Sequence, residues 1–364
     1  MRLLYYNPMV SLRKEDYGYS GLEKFSVFFN SLFGPTTVLI DRTGTIEIPF
    51  KVRSIFPIPT FRSIGKTFED ICNERARELL ARAENFGVPL YVFYSGGVDS
   101  TLVLISLLKN ATPEQKMNLT VLLSEESIYE SPNFYRDHIC GKLHVEPSNM
   151  FPYLLGTKSV FVGGEFNDQL FGSNLTERLI VRYGPSIIHQ PYSRDLFFEF
   201  FNWGVKNNEL TGFYLDMFER LKGVAPIDIT TNQDYLWWIN FTLKWQSVFM
   251  RMLCYTAPRN VPNIDEGYAS TYFNHFYGTE DFQLWSLNNP DKRIRDTWKS
   301  YKWVCKDIIY EYTKDADYRD NKIKKQSLAF ILTQQSSYGF IDEAFGFWNT
   351  LDAREYHNPK NDFV

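Results

Sequence analysis

Short apolar runs closed by glycine or polar clusters alternate with helical periodicity in the first half of the chain. From Thr67 to Asn85, Phe68, Ile71, Ala76, Leu79, Leu80 and Ala83 fall near one face, which predicts a helix. Thr67 with Asp70 three positions on is a capping-box pattern, and Gly87 is the stop. The run Tyr91-Val92-Phe93-Tyr94 then reads as the end of a buried strand, and a helix follows from Asp99 to Leu108. Leu119 to Ser124 predicts a second buried strand, running into Glu125, and Lys158 to Val162 a third. Ser131 to Phe134 is expected to open another helix, and Val145 to Pro147 is a short segment. Helix, glycine, strand, turn and helix is the opening of a parallel α/β unit. From about residue 175 helical periodicity takes over, at 194–204, 212–221, 233–245 and 298–312. Before residue 62, Thr37 to Pro49 reads as two short strands about a turn at Asp41 to Gly44, and Ser54 to Thr60 as a proline-punctuated connector. The expected class is α/β: a parallel sheet flanked by helices, with a small β-rich module over 1–62, a main domain over 63–335 and a tail over 336–364.

Composition narrows the function classes. The chain has 364 residues, 44% hydrophobic and 23% charged, an ordinary globular balance that is long enough for more than one module. Aromatics reach 17% and crowd after residue 190, which predicts a bulky aromatic core rather than a base-stacking platform, since few basic residues interleave them. The net charge of −4 gives no basic footprint for nucleic acid. No apolar run has the length of a membrane span, and the start lacks a signal-peptide core, so the expectation is a cytoplasmic protein with no membrane partner. Cys72, Cys140, Cys254 and Cys305 are far apart and suggest reduced core thiols.

The candidate chemistry lies in two glycine turns. Ser95-Gly96-Gly97-Val98-Asp99-Ser100 joins a strand to a helix N-terminus, where unpartnered backbone N–H groups and the helix dipole favour an anion. The two glycines let a phosphate approach the backbone, and Ser95 and Ser100 add donors. Asp99 would repel that phosphate unless Mg²⁺ lay between them. There is no lysine of the usual phosphate loop. After the third strand, Gly163-Gly164-Glu165-Phe166-Asn167-Asp168 repeats the theme, with two acids after two glycines. On the first turn of a helix Glu165 and Asp168 would share a face, and Asp168 could reach the same metal as Asp99.

These stretches, in this order, resemble the synthetase domain of asparagine and β-lactam synthetases, in the ATP pyrophosphatase (adenine nucleotide α-hydrolase) superfamily. The first is similar to its pyrophosphate loop, Ser-Gly-Gly-x-Asp-Ser. Gly163 to Gly172 is similar to its Ser-Gly-Glu-Gly-Ala-Asp-Glu-Leu-Phe-Gly. Lys322-Ile323-Lys324-Lys325 resembles more weakly its late Arg-x-Lys segment. The resemblance covers about residues 65–335. It implies that Ser95, Gly96, Gly97, Asp99, Ser100, Gly163 and Gly164 hold ATP, and that Asp99 and Asp168 hold Mg²⁺. It implies that Glu165 positions or deprotonates the nucleophile, and that Lys324 neutralises charge at the reacting phosphate, with Lys322 and Lys325 as alternates. The implied activity is an AMP- and pyrophosphate-forming amide ligase acting on a small-molecule carboxylate and an amine or ammonia.

The chain departs from that pattern. Arg2 stands where glutamine-using members carry cysteine, so no glutaminase chemistry is expected of it; a separate glutaminase partner is left open. Gln169 replaces the second acid of the motif, and Phe166 and Asn167 replace its Gly-Ala. The Arg-Val-Pro-Phe-Leu-Asp motif has no counterpart, its place falling near Tyr268 to Leu287. Two alternatives stay open: a nucleobase- or tRNA-modifying ATP pyrophosphatase, and a non-catalytic ATP-binding sensor or scaffold.

Overall fold

The computed structural model describes residues 2–5, 32, 40–46, 54–253, 260, 263–264, 266–322, 338–342 and 346–350. Its centre is a five-stranded sheet in the order β4-β3-β2-β5-β6, with every neighbouring pair parallel. The strands are β2 (Leu90–Phe93), β3 (Leu119–Leu123), β4 (His144–Pro147), β5 (Val160–Gly163) and β6 (Phe273–His275). Leu90 sits between Leu119 and Val160, so the sheet is built outward from β2. The central strands are apolar runs because helices cover both faces of a parallel sheet. Val92, Val121, Val160 and Val162 are all fully buried. The protein is thus a mixed α/β structure with a parallel sheet flanked by helices. Chain order reverses between β2 and β5, and that reversal opens a crevice at the carboxyl ends of these two strands.

The helix before the sheet, α1 (Phe68–Phe86), follows its sequence signals closely. Thr67 and Asp70 cap each other reciprocally, and Gly87 closes the helix at φ 61°. The next, α2 (Val98–Asn110), starts directly after the first glycine turn. The segment after β3 is not a bare strand end: Ser124 caps a short helix, α3 (Glu125–Glu130). The sheet also has two strands beyond the three expected. The segment ending at Pro147 is β4, an edge strand, where proline is tolerated. The other edge is β6, a three-residue strand 110 positions downstream of β5, too short to stand out as a pattern.

Past residue 175 the helices carry the expected aromatic core. In α5 (Arg194–Val205), α6 (Asn208–Gly223) and α7 (Asn232–Leu243) most apolar positions pack inward, with Trp203 and Phe213 left exposed, and every residue of α7 is buried. Trp237 donates to the carbonyl of Leu170 at 3.1 Å and Trp238 to that of Leu221 at 2.8 Å. The core also holds Arg293, fully buried, its guanidinium 3.4 Å from the ring centre of Trp237 and paired with Asp234 at 2.9 Å.

One expectation over this region is corrected. Residues 298–312 are not a continuous helix. A short 3₁₀ turn, Trp298–Ser300, is separated from α9 (Trp303–Thr313) by Tyr301 and by Lys302, which takes the left-handed conformation at φ 58°.

A second sheet joins the chain's two ends: β1 (Arg2–Tyr5) pairs antiparallel with β7 (Tyr338–Asp342), which pairs with β8 (Gly346–Thr350). The turn expected at Asp41 to Gly44 is present, its backbone N–H groups at Thr43, Thr45 and Ile46 donating to the Asp41 carboxylate. Residues 37–39 and 47–49 of the two strands expected around it lie outside the described ones. Among the described residues no helix is long and apolar enough to cross a membrane. Cys72 and Cys305 are buried, whereas Cys140, expected in the core, is exposed.

Candidate nucleotide and cation site

The two glycine turns meet in the crevice between β2 and β5. In the first, Ser95 N–H donates to Ser100 Oγ at 3.0 Å, the two hydroxyls lie 3.0 Å apart, and Ser100 Oγ reaches the carbonyl of Gly97 at 3.2 Å. The loop is thus folded on itself by its own hydrogen bonds. Gly96 has φ +73°, and a Cβ there would lie 2.5 Å from the Ser127 carbonyl oxygen, so no other residue fits. Gly164 of the second turn packs onto the first: a Cβ on it would meet Ser100 N at 3.1 Å and the Asp99 carbonyl carbon at 3.2 Å. Gly163 lies at the end of β5 against His275.

Glu165 and Asp168 do not share a helical face. The helix α4 (Asn167–Phe171) begins after Phe166, whose φ is +79°, so half-buried Glu165 stands in the turn ahead of it. A bulky residue in the left-handed region is strained. Phe166 is held there by a ring stack on Trp245, 4.4 Å between centres, and an edge contact with His275 at 4.8 Å. Glycine occupies this position in the family that the motif resembles; here aromatic packing substitutes for glycine's freedom. Phe166 also borders a cavity of about 330 Å³, with Phe56, Arg75, Phe249, Phe273 and His275.

Asp99 and Asp168 converge, as the spacing of the two turns predicts, and a protein cation joins them. Lys302 Nζ lies 2.7 Å from both carboxylate oxygens of Asp99 and 2.6 Å from Asp168 Oδ1. The lysine side chain is only 6% exposed, while those of Asp99 and Asp168 are 28% and 36% exposed. Burial disfavours the ammonium, but Asp168 and Asp99 outweigh it and hold its pKa above the ordinary lysine value. Asn167 Nδ2 donates to Asp99 Oδ1 at 2.7 Å, the Tyr301 hydroxyl to Asp168 Oδ1 at 3.1 Å, and the Tyr277 hydroxyl to the Asp99 carbonyl at 2.9 Å. Burial and the charge of Asp168 push the Tyr301 phenol well above its usual range, so it stays a donor. Cys305, beside Asn167, is pushed up to about 12, chiefly by burial, and remains a thiol.

This donor set fits a divalent cation. Three carboxylate oxygens from two acids already surround one positive charge, and Mg²⁺ commonly takes one or two protein carboxylates together with phosphate oxygens and water. Among the described residues no group of three His, Cys, Asp or Glu side chains gathers as a metal site, here or elsewhere, so a cation at Asp99 and Asp168 would need further ligands from phosphate or water.

Of the late basic segment, Lys324 and Lys325 lie outside the described residues. Lys322 is buried and pairs with Glu130 at 2.8 Å. Glu130 packs its Cβ and Cγ against Gly96, and the Tyr318 hydroxyl, from α10 (Ala316–Asn321), donates to the Gly96 carbonyl at 3.1 Å. The segment that ends at Lys322 is therefore tied to the first glycine turn. Lys302, Tyr301, Asn167 and Tyr277 have no local sequence signal for this site. Lysine is a good helix former, and a helical reading runs through positions 301 and 302 without interruption.

No family model, curated protein or solved structure matches this chain.

Proposed function

We propose that the protein is an ATP-dependent, AMP- and pyrophosphate-forming carbon–nitrogen ligase, which adenylates a carboxylate and passes the acyl group to ammonia or an amine. One observation carries the reading: a self-bonded Ser-Gly-Gly-Val-Asp-Ser turn and a second glycine turn place Asp99 and Asp168 around a single cation position, at the crevice where doubly wound sheets bind ligands.

In this reading the backbone of Ser95 to Gly97 and the start of α2 hold the β- and γ-phosphates, and the hydroxyls of Ser95 and Ser100 complete the cradle. Gly164 keeps the second turn low enough for the nucleotide to lie across it. Mg²⁺, when bound by Asp99 and Asp168, would neutralise polyphosphate charge and favour pyrophosphate as leaving group. Asn167 and Tyr301 orient those acids. Glu165, in the turn beside Gly164, would accept a proton from the attacking amine. The cavity bordered by Phe166 suits an acid with apolar bulk and a second anionic group. Arg75 lines it, and its buried Nε has no hydrogen-bond partner among the described residues. Lys324 keeps its proposed role at the reacting phosphate.

The test is incubation with Mg²⁺ and α-labelled ATP, with and without pools of carboxylic acids and amines. AMP with pyrophosphate, lost in both Asp99→Asn and Asp168→Asn, is the expected result; ADP as the product would rule the adenylation reading out. A second reading, an ATP-binding sensor or scaffold, draws on Lys302, because a site that performs no chemistry also gains from neutralising its acids internally. ATP binding without turnover on any pool would favour it.

A further inference from the structure

We infer that Lys302 is a built-in counter-ion that keeps the cation site closed until nucleotide arrives, so that the divalent ion and ATP bind as a coupled pair. This rests on the proposed nucleotide site and concerns how that site is loaded.

The geometry gives the reason. The ammonium takes both oxygens of Asp99 and one of Asp168 at 2.6–2.7 Å, the oxygens a divalent ion would need. Two carboxylates and one ammonium leave the cluster a formal charge of −1. A divalent ion arriving alone must displace a nearly dry ammonium and gains only two side chains in return. The displaced ammonium would lose both of its carboxylates, and separating a buried charge from its partners is costly. When a triphosphate arrives as well, the ion gains phosphate oxygens and the lysine gains a new anionic partner within reach of its flexible stem. Each ligand therefore removes the obstacle to the other, a coupling that is reciprocal by linkage.

The backbone supports a specialised placement. Lys302 is left-handed at φ 58°, in the break between the 3₁₀ turn and α9, where an unbroken helix would carry the side chain elsewhere. Tyr301 beside it stacks on Trp298 at 4.2 Å and bonds Asp168. Two neighbouring positions are thus spent on the same pair of acids. The two acid side chains stay partly exposed while the lysine is almost buried, so the lysine approaches them from the protein side.

The experiment follows Mn²⁺ uptake by the full-length protein through loss of the free-ion electron paramagnetic resonance signal, with and without a non-hydrolysable ATP analogue, each against a protein-free control because the analogue itself chelates Mn²⁺. Wild type is expected to take up Mn²⁺ only with the analogue. Lys302→Met and Lys302→Gln should take it up without nucleotide, roughly tenfold or more tighter than wild type, since a full positive charge has been removed from the site. Adding Asp99→Asn to Lys302→Met should abolish that uptake. Equal nucleotide-free uptake by wild type and variants, or none by either variant, would overturn the inference. If Lys302→Met does not fold by circular dichroism, the Gln variant carries the comparison; and strong nucleotide-free uptake by wild type overturns it without any variant. Binding of the analogue, read by calorimetry, separates the two levels: analogue bound with uncoupled Mn²⁺ defeats only the counter-ion, whereas no analogue bound defeats the nucleotide site itself.

Discussion

Phe166 puts two opposed effects on one residue. A left-handed backbone costs a non-glycine residue about 1–2 kcal/mol, while removing a buried phenylalanine costs about 3–5 kcal/mol. Phe166 is 2% exposed and stacks on Trp245, so the packing term wins. Phe166→Gly should therefore destabilise the protein by roughly 1–4 kcal/mol in urea unfolding, even though it restores the residue that the resembled motif carries. A gain in stability would mean that backbone strain, and not the stack, dominates there. The same logic explains Asn167. It replaces a small residue of that motif, and its amide is used to hold Asp99.

Elements obey local rules where the rules are strong. In α1 both halves of the capping box are made: Thr67 Oγ1 accepts from Asp70 N at 3.1 Å, and Thr67 N donates to the Asp70 carboxylate at 3.0 Å. Thr67→Ala should cost about 1 kcal/mol, and adding Asp70→Ala should cost less than the sum of the two singles, because the caps share partners. Additive losses in a double-mutant cycle would contradict this. The segment 298–312 shows where local rules stop. Its residues are compatible with one helix, but a helical Lys302 would forfeit its contacts with two carboxylates from distant turns. That tertiary gain outweighs the local preference and breaks the helix at Tyr301 and Lys302.

At the scale of the molecule, the segment around Arg42 is locked to the main body. Its guanidinium is buried, bonds the carbonyls of Phe56, Pro57 and Phe241, and lies 4.6 Å from the ring centre of Trp245. Backbone bonds from Ile40 and Arg42 to Leu243 and Thr242 extend the contact. Arg42→Ala should cost about 2–4 kcal/mol, since it leaves several buried carbonyls without donors. An unchanged denaturant midpoint would show that this segment is only loosely attached. The sequence by itself determined the parallel α/β class, the capped α1, the glycine turn after β2, and the identities of Asp99 and Asp168 as neighbours. These follow from short-range patterns: apolar runs, caps, and glycines that the backbone requires. Only the tertiary structure decided that β6 completes the sheet, that Glu165 stands outside α4, that Lys322 serves Glu130 behind the loop, and that Lys302 fills the space between the acids. Those outcomes join residues from about 110 to 200 positions apart or depend on a backbone conformation fixed by distant packing. No local pattern encodes such a meeting, because its free energy comes from burial and charge pairing that exist only once the chain has closed.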